Sequence, residues 1–121
     1  MKDFKSIPEH KILFRDSHFF IIEDSFPVSP GHLLIISNEI KSDFFELSLN
    51  EKMELPLMIE KAKSIITSKF NPDGFNIGMN CGAASGQTIF HFHCHVIPRF
   101  FGDMENPRGG VRGVLPGKMD Y

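Results

Sequence analysis

The segment His91-Phe92-His93-Cys94-His95-Val96-Ile97 constrains this chain more than any other stretch. It alternates strictly, an imidazole at every second position and an apolar side chain between. An extended strand turns successive side chains to opposite faces. The segment therefore predicts a half-buried strand, with Phe92, Cys94 and Val96 toward the core and His91, His93 and His95 in a row on the open side. Half of the six histidines of the chain stand in this row. Imidazole titrates near neutral pH and serves as nucleophile, proton donor or metal ligand. Packing alone gives no reason for three of them on one open face.

The rest of the chain supplies further strands and a long helix. Ile12–Arg15 and Phe19–Glu23 read as two strands, and Asp16-Ser17-His18 between them has hairpin character. Two proline stops mark Phe26–Gly31 as a loop. His32–Ser37 is apolar on both faces, which predicts a central strand. Ser42–Leu47 suits a short helix. Ser48-Leu49-Asn50-Glu51 carries the capping-box pattern and opens a long helix reaching about Phe70. Met53, Leu57, Ile65, Ile66 and Phe70 fit its buried stripe, with Ala62 at a close approach. Pro56 conflicts with that helix, because it removes a backbone donor and predicts a kink. Asn71-Pro72-Asp73-Gly74 is a turn, Phe75–Asn80 a fourth strand, Cys81–Gly86 a small-residue loop and Ile89–Arg99 the fifth strand. Residues 102–121 are rich in Gly, Pro and Arg without apolar periodicity, a C-terminal loop or tail of a single domain, 1–121. Its Arg108 and Arg112 suit either a solvated terminus or contacts to the phosphates of a longer substrate. Strand order does not follow from the pattern.

The length of 121 residues suffices for one core without staples. A net charge of -2, with 13 basic and 15 acidic residues, argues against a nucleic-acid partner or a membrane surface. Met1-Lys2-Asp3-Phe4 lacks a signal-peptide run, and no stretch approaches membrane-spanning length. Cys81 and Cys94 form no Cys-x-x-Cys pair, and a reducing, cytoplasmic setting fits them.

Together with its surroundings, the triad segment resembles the motif of the histidine triad (HIT) family, His-x-His-x-His with apolar residues between and after. Pro30-Gly31-His32 upstream, Asn80 and Gly86-Gln87-Thr88 before the triad, and Pro98-Arg99 after it match at compatible distances. The resemblance implies an α+β, HIT-like fold: an antiparallel sheet of about five strands with one long and one short helix. It also implies a homodimer. The surplus of apolar residues in the helix (Met53, Leu55, Leu57, Met58, Ile59) argues for the same interface.

The resemblance assigns roles residue by residue. His93, the middle imidazole, attacks phosphorus and forms a covalent nucleotidyl intermediate, its other ring nitrogen oriented by a backbone carbonyl. His91, His95 and His32 surround the phosphate, stabilise its charge and assist the leaving group; which of them is the general acid stays open. Asn80 is a polar group near the nucleophile, Gln87 and Thr88 contact the phosphate, Asp24 holds the ribose hydroxyls, and Ile7, Ile22 and Leu34 line the base pocket. Ser25 stands where many members carry a larger apolar residue.

The implied activity is hydrolysis or transfer of nucleotides at the alpha phosphate. Residues 95–103 are nearer to the dinucleoside-polyphosphate branch (fragile histidine triad and bacterial relatives), because the phosphoramidate-hydrolase branch has glycines where Pro98 and Arg99 stand. That favours diadenosine tri- or tetraphosphate. Adenosine phosphoramidate and aminoacyl adenylates are the alternative substrates, and a nucleotide-binding sensor with little turnover is the alternative of another class. Alternating histidines also suit zinc. Without an early cysteine pair or a carboxylate inside the triad, the expectation is no bound metal and no tightly bound cofactor, with magnesium accompanying a polyphosphate substrate.

Overall fold

The computed structural model describes residues 4–121. Met1, Lys2 and Asp3, part of the opening that lacks a signal-peptide run, lie outside the described residues. Five strands form one antiparallel sheet: β1 (Ile12–Arg15), β2 (Phe19–Glu23), β3 (Leu33–Ser37), β4 (Gly74–Gly78) and β5 (His93–Arg99), in the order β1-β2-β3-β5-β4. The continuously apolar β3 is the central strand, buried along its whole length, as its sequence predicts. Register follows the alternation. Leu34 faces His95 and Ile36 faces His93 across the β3–β5 pair.

The two faces of the sheet have different fates. On one, Phe19, Ile21, Leu33, Ile35, Cys94 and Val96 form the main core with the helix α1 (Leu49–Thr67). On the other, Phe20, Ile22, Leu34 and Ile36 are covered by Phe4 and, more loosely, by Ile7, Ile12 and Ile89. No α-helix among the described residues lies on that second face, and it carries the histidines.

The α1 helix starts where the sequence places it. Ser48 Oγ accepts from the Glu51 amide and Glu51 Oε1 accepts from the Ser48 amide, a complete capping box. Its buried stripe differs from the predicted one. Glu51, Leu55, Met58, Ala62 and Ile66 face the sheet, whereas Met53 and Leu57 point outward and are 67% and 62% exposed. The stripe keeps the four-, three-, four- and four-residue steps of a helical face. The charged Glu51 belongs to it because its carboxylate is consumed by the cap and by Lys41 at 3.9 Å. The helix ends at Thr67 rather than Phe70, and it runs as one element through Pro56, which lies on the exposed side where the carbonyl deprived of its donor can be hydrated.

Three other boundaries shift. Ser42–Leu47 holds a single 3-10 turn, Phe44–Glu46, instead of a helix. Strand β4 stops at Gly78, short of Asn80. Strand β5 begins at His93 rather than Ile89, because the chain before it is tied to a different partner: the Phe92 amide donates to the Lys41 carbonyl and the Ser37 amide to the Phe92 carbonyl. The tail is not featureless, since Gly110–Val114 forms a 3-10 turn that packs beside Asn76 of β4. Among the described residues no helix is long and apolar enough to cross a membrane.

Candidate active site

Each histidine of the site is placed by a backbone feature. His93 and His95 project from β5 on the helix-free face, between buried Cys94 and Val96. His32 enters from the β2–β3 turn, where Gly31 takes a φ of +93° that side chains rarely adopt. A Cβ on Gly31 would lie 2.9 Å from the Phe70 ring, so this turn has no room for another residue. His91 departs from the predicted row. It precedes the strand and is buried, not open, with its Nε2 donating to the Ser37 carbonyl at 2.7 Å. Its position keeps the triad entrance fixed to the end of β3.

The hydrogen bonds assign the tautomers. The His93 Nδ1–H donates to the His91 carbonyl at 2.9 Å, because a carbonyl can only accept. Among the described residues, none hydrogen-bonds the His93 Nε2 lone pair. At His32 the polarity is reversed: the Val28 amide donates to Nδ1 at 3.2 Å, which places the ring proton on Nε2. This Nε2–H faces His95 Nδ1 at 2.9 Å. His95 therefore accepts at Nδ1 and carries its own proton on Nε2.

Asp24 completes the group. Its Oδ1 accepts from the Phe26 amide at 2.9 Å, and its Oδ2 lies 3.3 Å from His32 Nε2 and 3.8 Å from His95 Nδ1. Burial, then the nearby His32 and His93, push His95 down to about 4, with Asp24 opposing. His32 is lowered as well, by burial against the opposing pull of Asp24. Both rings are thus neutral at pH 7. Burial pushes the Cys94 thiol up to about 12, the inert small hydrophobe its place behind the triad predicts.

Asp24, His32 and His95 also present ligand atoms within 4.8 Å of one another, the spacing of a metal-binding group. A metal on His32 Nε2 would displace the proton that the Val28 amide forces onto that nitrogen, and the ring would become an imidazolate.

Of the clefts that open on this face, two meet at Asp24. One, about 300 Å³, is lined by His93, His95, Asp24, Asn80, Thr88 and Leu34, together with Phe4, Phe26, Gly86 and Ile89. The other, about 810 Å³, is lined by Ile7, Ile22, Leu13, Asp24 and Ser25, with the polar Ser6, His10, Lys11 and Glu23 among the remaining walls. Asp24 belongs to both. The structure thus gathers His93, His95, Asn80, Thr88 and Leu34 around one space, and Ile7 and Ile22 around the next. Gln87, predicted at the phosphate, is turned inward: its Oε1 accepts from the Gly82 amide and its Nε2 donates to the Ser42 and Ile89 carbonyls. It is buried, lines neither cleft and shapes the loop instead. Phe4 is the residue that sequence reasoning missed. Its ring meets His91 and His93 edge-on, with centroids 5.6 and 5.1 Å apart. A lone aromatic near the start of a chain carries no pattern that would have marked it.

Residues 5–102 match the family model of the HIT domain. An AP-4-A phosphorylase of Mycobacterium tuberculosis is 32% identical over 96 residues, a span of 78% of this chain and 49% of that protein. A bis(5'-adenosyl)-triphosphatase of Dictyostelium discoideum is 33% identical over 100 residues, 83% of this chain and 67% of that protein. The crystal structure of a HIT family protein from Bacillus anthracis str. 'Ames Ancestor' matches with a TM-score of 0.72 at 35% identity, covering 77% of this chain and 66% of the other. The chain spans about half the length of the mycobacterial relative. The family model takes in the whole sheet, α1 and all four site histidines, and the chain belongs to the HIT family.

Proposed function

We propose that this protein is a nucleotide hydrolase or transferase acting at the alpha phosphate, with His93 as nucleophile. The observation that carries this reading is the wiring of His93: Nδ1–H is held by the His91 carbonyl, and Nε2 is left with a free lone pair on a cleft shared with Asn80, Thr88 and His95. A nucleophilic imidazole needs that tautomer. Attack on phosphorus forms a phosphorus–nitrogen bond, the leaving group departs, and water then releases the nucleoside monophosphate. Asn80 and Thr88 offer neutral donors to the phosphate, Asp24 faces a ribose, and the larger cleft with Ile7 and Ile22 accepts the base. Dinucleoside polyphosphates are the substrates this reading favours. Relatives named as an AP-4-A phosphorylase and a bis(5'-adenosyl)-triphosphatase support that class.

The reading includes no bound metal and no tightly bound cofactor, in line with the proton on His32 Nε2, and magnesium acts on the polyphosphate substrate alone. It also includes a cytoplasmic homodimer without a nucleic-acid or membrane partner. Leu49, Met53 and Leu57 leave an apolar strip on the outer side of α1, and the strip continues into a groove lined by Pro56, Ile59, Phe75 and Ile77 beside the edge strand β4. A two-fold mate covers such a strip. The test of the chemistry is mass spectrometry of protein quenched during turnover of diadenosine triphosphate or adenosine phosphoramidate. A nucleotide adduct on the peptide bearing His93 is expected, and an adduct elsewhere would refute the mechanism. Chelation should leave phosphoramidate turnover intact.

A further inference from the structure

We propose that the Asp24 carboxylate is the counter-ion that lets the His32–His95 pair hold the proton given to the leaving group, so that Asp24 is a positioning residue for acid catalysis as well as a substrate contact. The inference rests on the nucleotidyl-transfer reading above and adds the source of its proton.

The tautomers make an extra proton necessary. In the neutral pair His32 has its proton on Nε2 and His95 has its proton on Nε2, the side away from His32. If His95 gave up that proton it would become an imidazolate. Taking the His32 proton through Nδ1 would only move the problem, because His32 Nδ1 is filled by the Val28 N–H and cannot be protonated in turn. The acid must therefore be the pair with one proton added, His95 carrying N–H groups on both ring nitrogens.

That state turns two N–H groups toward each other, His32 Nε2–H and His95 Nδ1–H, at a site where the nitrogens lie 2.9 Å apart. They can coexist if both turn to a shared acceptor. Asp24 Oδ2 stands within reach of both, at 3.3 and 3.8 Å, and the Phe26 amide on Oδ1 fixes the carboxylate in that orientation. The titratable groups facing His95 are His32, His93 and Asp24, and of these Asp24 alone favours the charged ring. A bound polyphosphate adds negative charge to the same side.

The steps balance. The His93 Nε2 lone pair forms the bond to phosphorus. The bond from phosphorus to the leaving atom breaks, its electron pair stays on that atom, and the atom takes the proton from His95 Nε2. His95 is now neutral, its remaining proton on Nδ1 and directed at Asp24. In the second half water adds to phosphorus, the phosphorus–nitrogen pair returns to His93, and the water proton goes to His95 Nε2. The pair is charged again for the next cycle.

The experiment compares two substrates with the same nucleotide and different leaving groups. Adenosine 5'-phosphoramidate expels an amine and needs the proton; the p-nitrophenyl ester of adenosine monophosphate expels a stable phenolate and does not. Asp24→Asn keeps an acceptor for the Phe26 amide and removes the charge. Loss of a ribose contact lowers both rates together, chiefly through KM. Loss of the acid lowers kcat for the phosphoramidate by roughly 100-fold beyond the loss on the ester, the ordinary size of general-acid assistance. Asp24→Glu should recover part of the phosphoramidate kcat. Equal falls of kcat on the two substrates would overturn the inference while leaving the nucleotidyl-transfer reading intact. A wild type that turned over neither substrate would overturn both.

Discussion

Lowering the pH from 7 to 4.5 should destabilise this protein through His95. An unfolded chain returns the ring to its ordinary value of 6.5, whereas the folded site holds it at about 4. Between those values the unfolded chain binds a proton that the folded chain refuses, so stability falls as the pH falls and is regained above 6.5. Refusing that proton costs roughly 1.4 kcal/mol for every pH unit below 6.5, or about 2–3 kcal/mol by pH 4.5, for a ring that is three-quarters buried. In a domain of this size that lowers Tm by roughly 10 °C. His32 adds to the loss in the same direction. Asp103, held at about 2 by its pair with Arg99, stays charged throughout the window. The assay is urea unfolding at half-unit steps of pH for the wild type and for His95→Asn, whose amide oxygen can still accept from His32 Nε2. The variant should lose most of the acid slope and keep the His32 share. Identical slopes in the two proteins would refute the assignment of the buried neutral ring.

Three further outcomes follow from the packing. Gly31→Ala should cost about 1–3 kcal/mol, since it combines a positive φ with a Cβ 2.9 Å from Phe70, and should lower turnover by moving His32; urea unfolding and kcat read the two effects. Glu51→Ala removes half of the capping box together with the buried carboxylate that Lys41 approaches, a loss of about 1–2 kcal/mol measurable by the same unfolding curve. Met53→Asp combined with Leu57→Asp should leave the fold unchanged by circular dichroism and shift the light-scattering mass from a dimer to the monomer value of 13.7 kDa, because both side chains lie on the outer strip of α1.

The sheet was legible in the sequence because its strands alternate or run apolar throughout, and the register then paired Leu34 with His95 and Ile36 with His93. The start of α1 was legible because a capping box is a local signal. Its buried stripe was not. Residues 53–59 are apolar on several sides, so periodicity could not choose among faces, and the true face includes Glu51, whose burial depends on Ser48 and Lys41. The same limit appears in the site. The His-x-His-x-His alternation placed His93 and His95 on the strand but extended that strand to His91, which is bonded to Ser37, 54 residues away. Gln87 has the chemistry of a phosphate ligand, and its actual partner Ser42 lies 45 residues back. Asp24 stood out as an acid before His32. Its aim at the histidine pair depends on the antiparallel β2–β3 pairing, which brings the Asp24 amide onto the His32 carbonyl.

One helix is too few for a two-faced sheet, and the site is a consequence of that shortage. The α1 helix seals the face of Phe19, Ile21, Leu33 and Ile35. The opposite face is as apolar, with Phe20, Ile22, Leu34 and Ile36, yet it receives Phe4, Ile7, Ile12 and Ile89 in place of a second helix. Short segments cover an apolar floor incompletely, and the gaps are the clefts, two of which meet at Asp24. The floor that leaves room for a ligand also withholds water from the imidazoles standing on it, so His32 and His95 are driven to their neutral forms. A neutral pair cannot act as an acid until charge is brought to it. In the acid catalysis proposed above, Asp24, where two of the clefts meet, supplies part of that charge from the protein side, and the proposed anionic substrate supplies the rest as it arrives. On that proposal, proton delivery is coupled to the presence of the molecule that needs it.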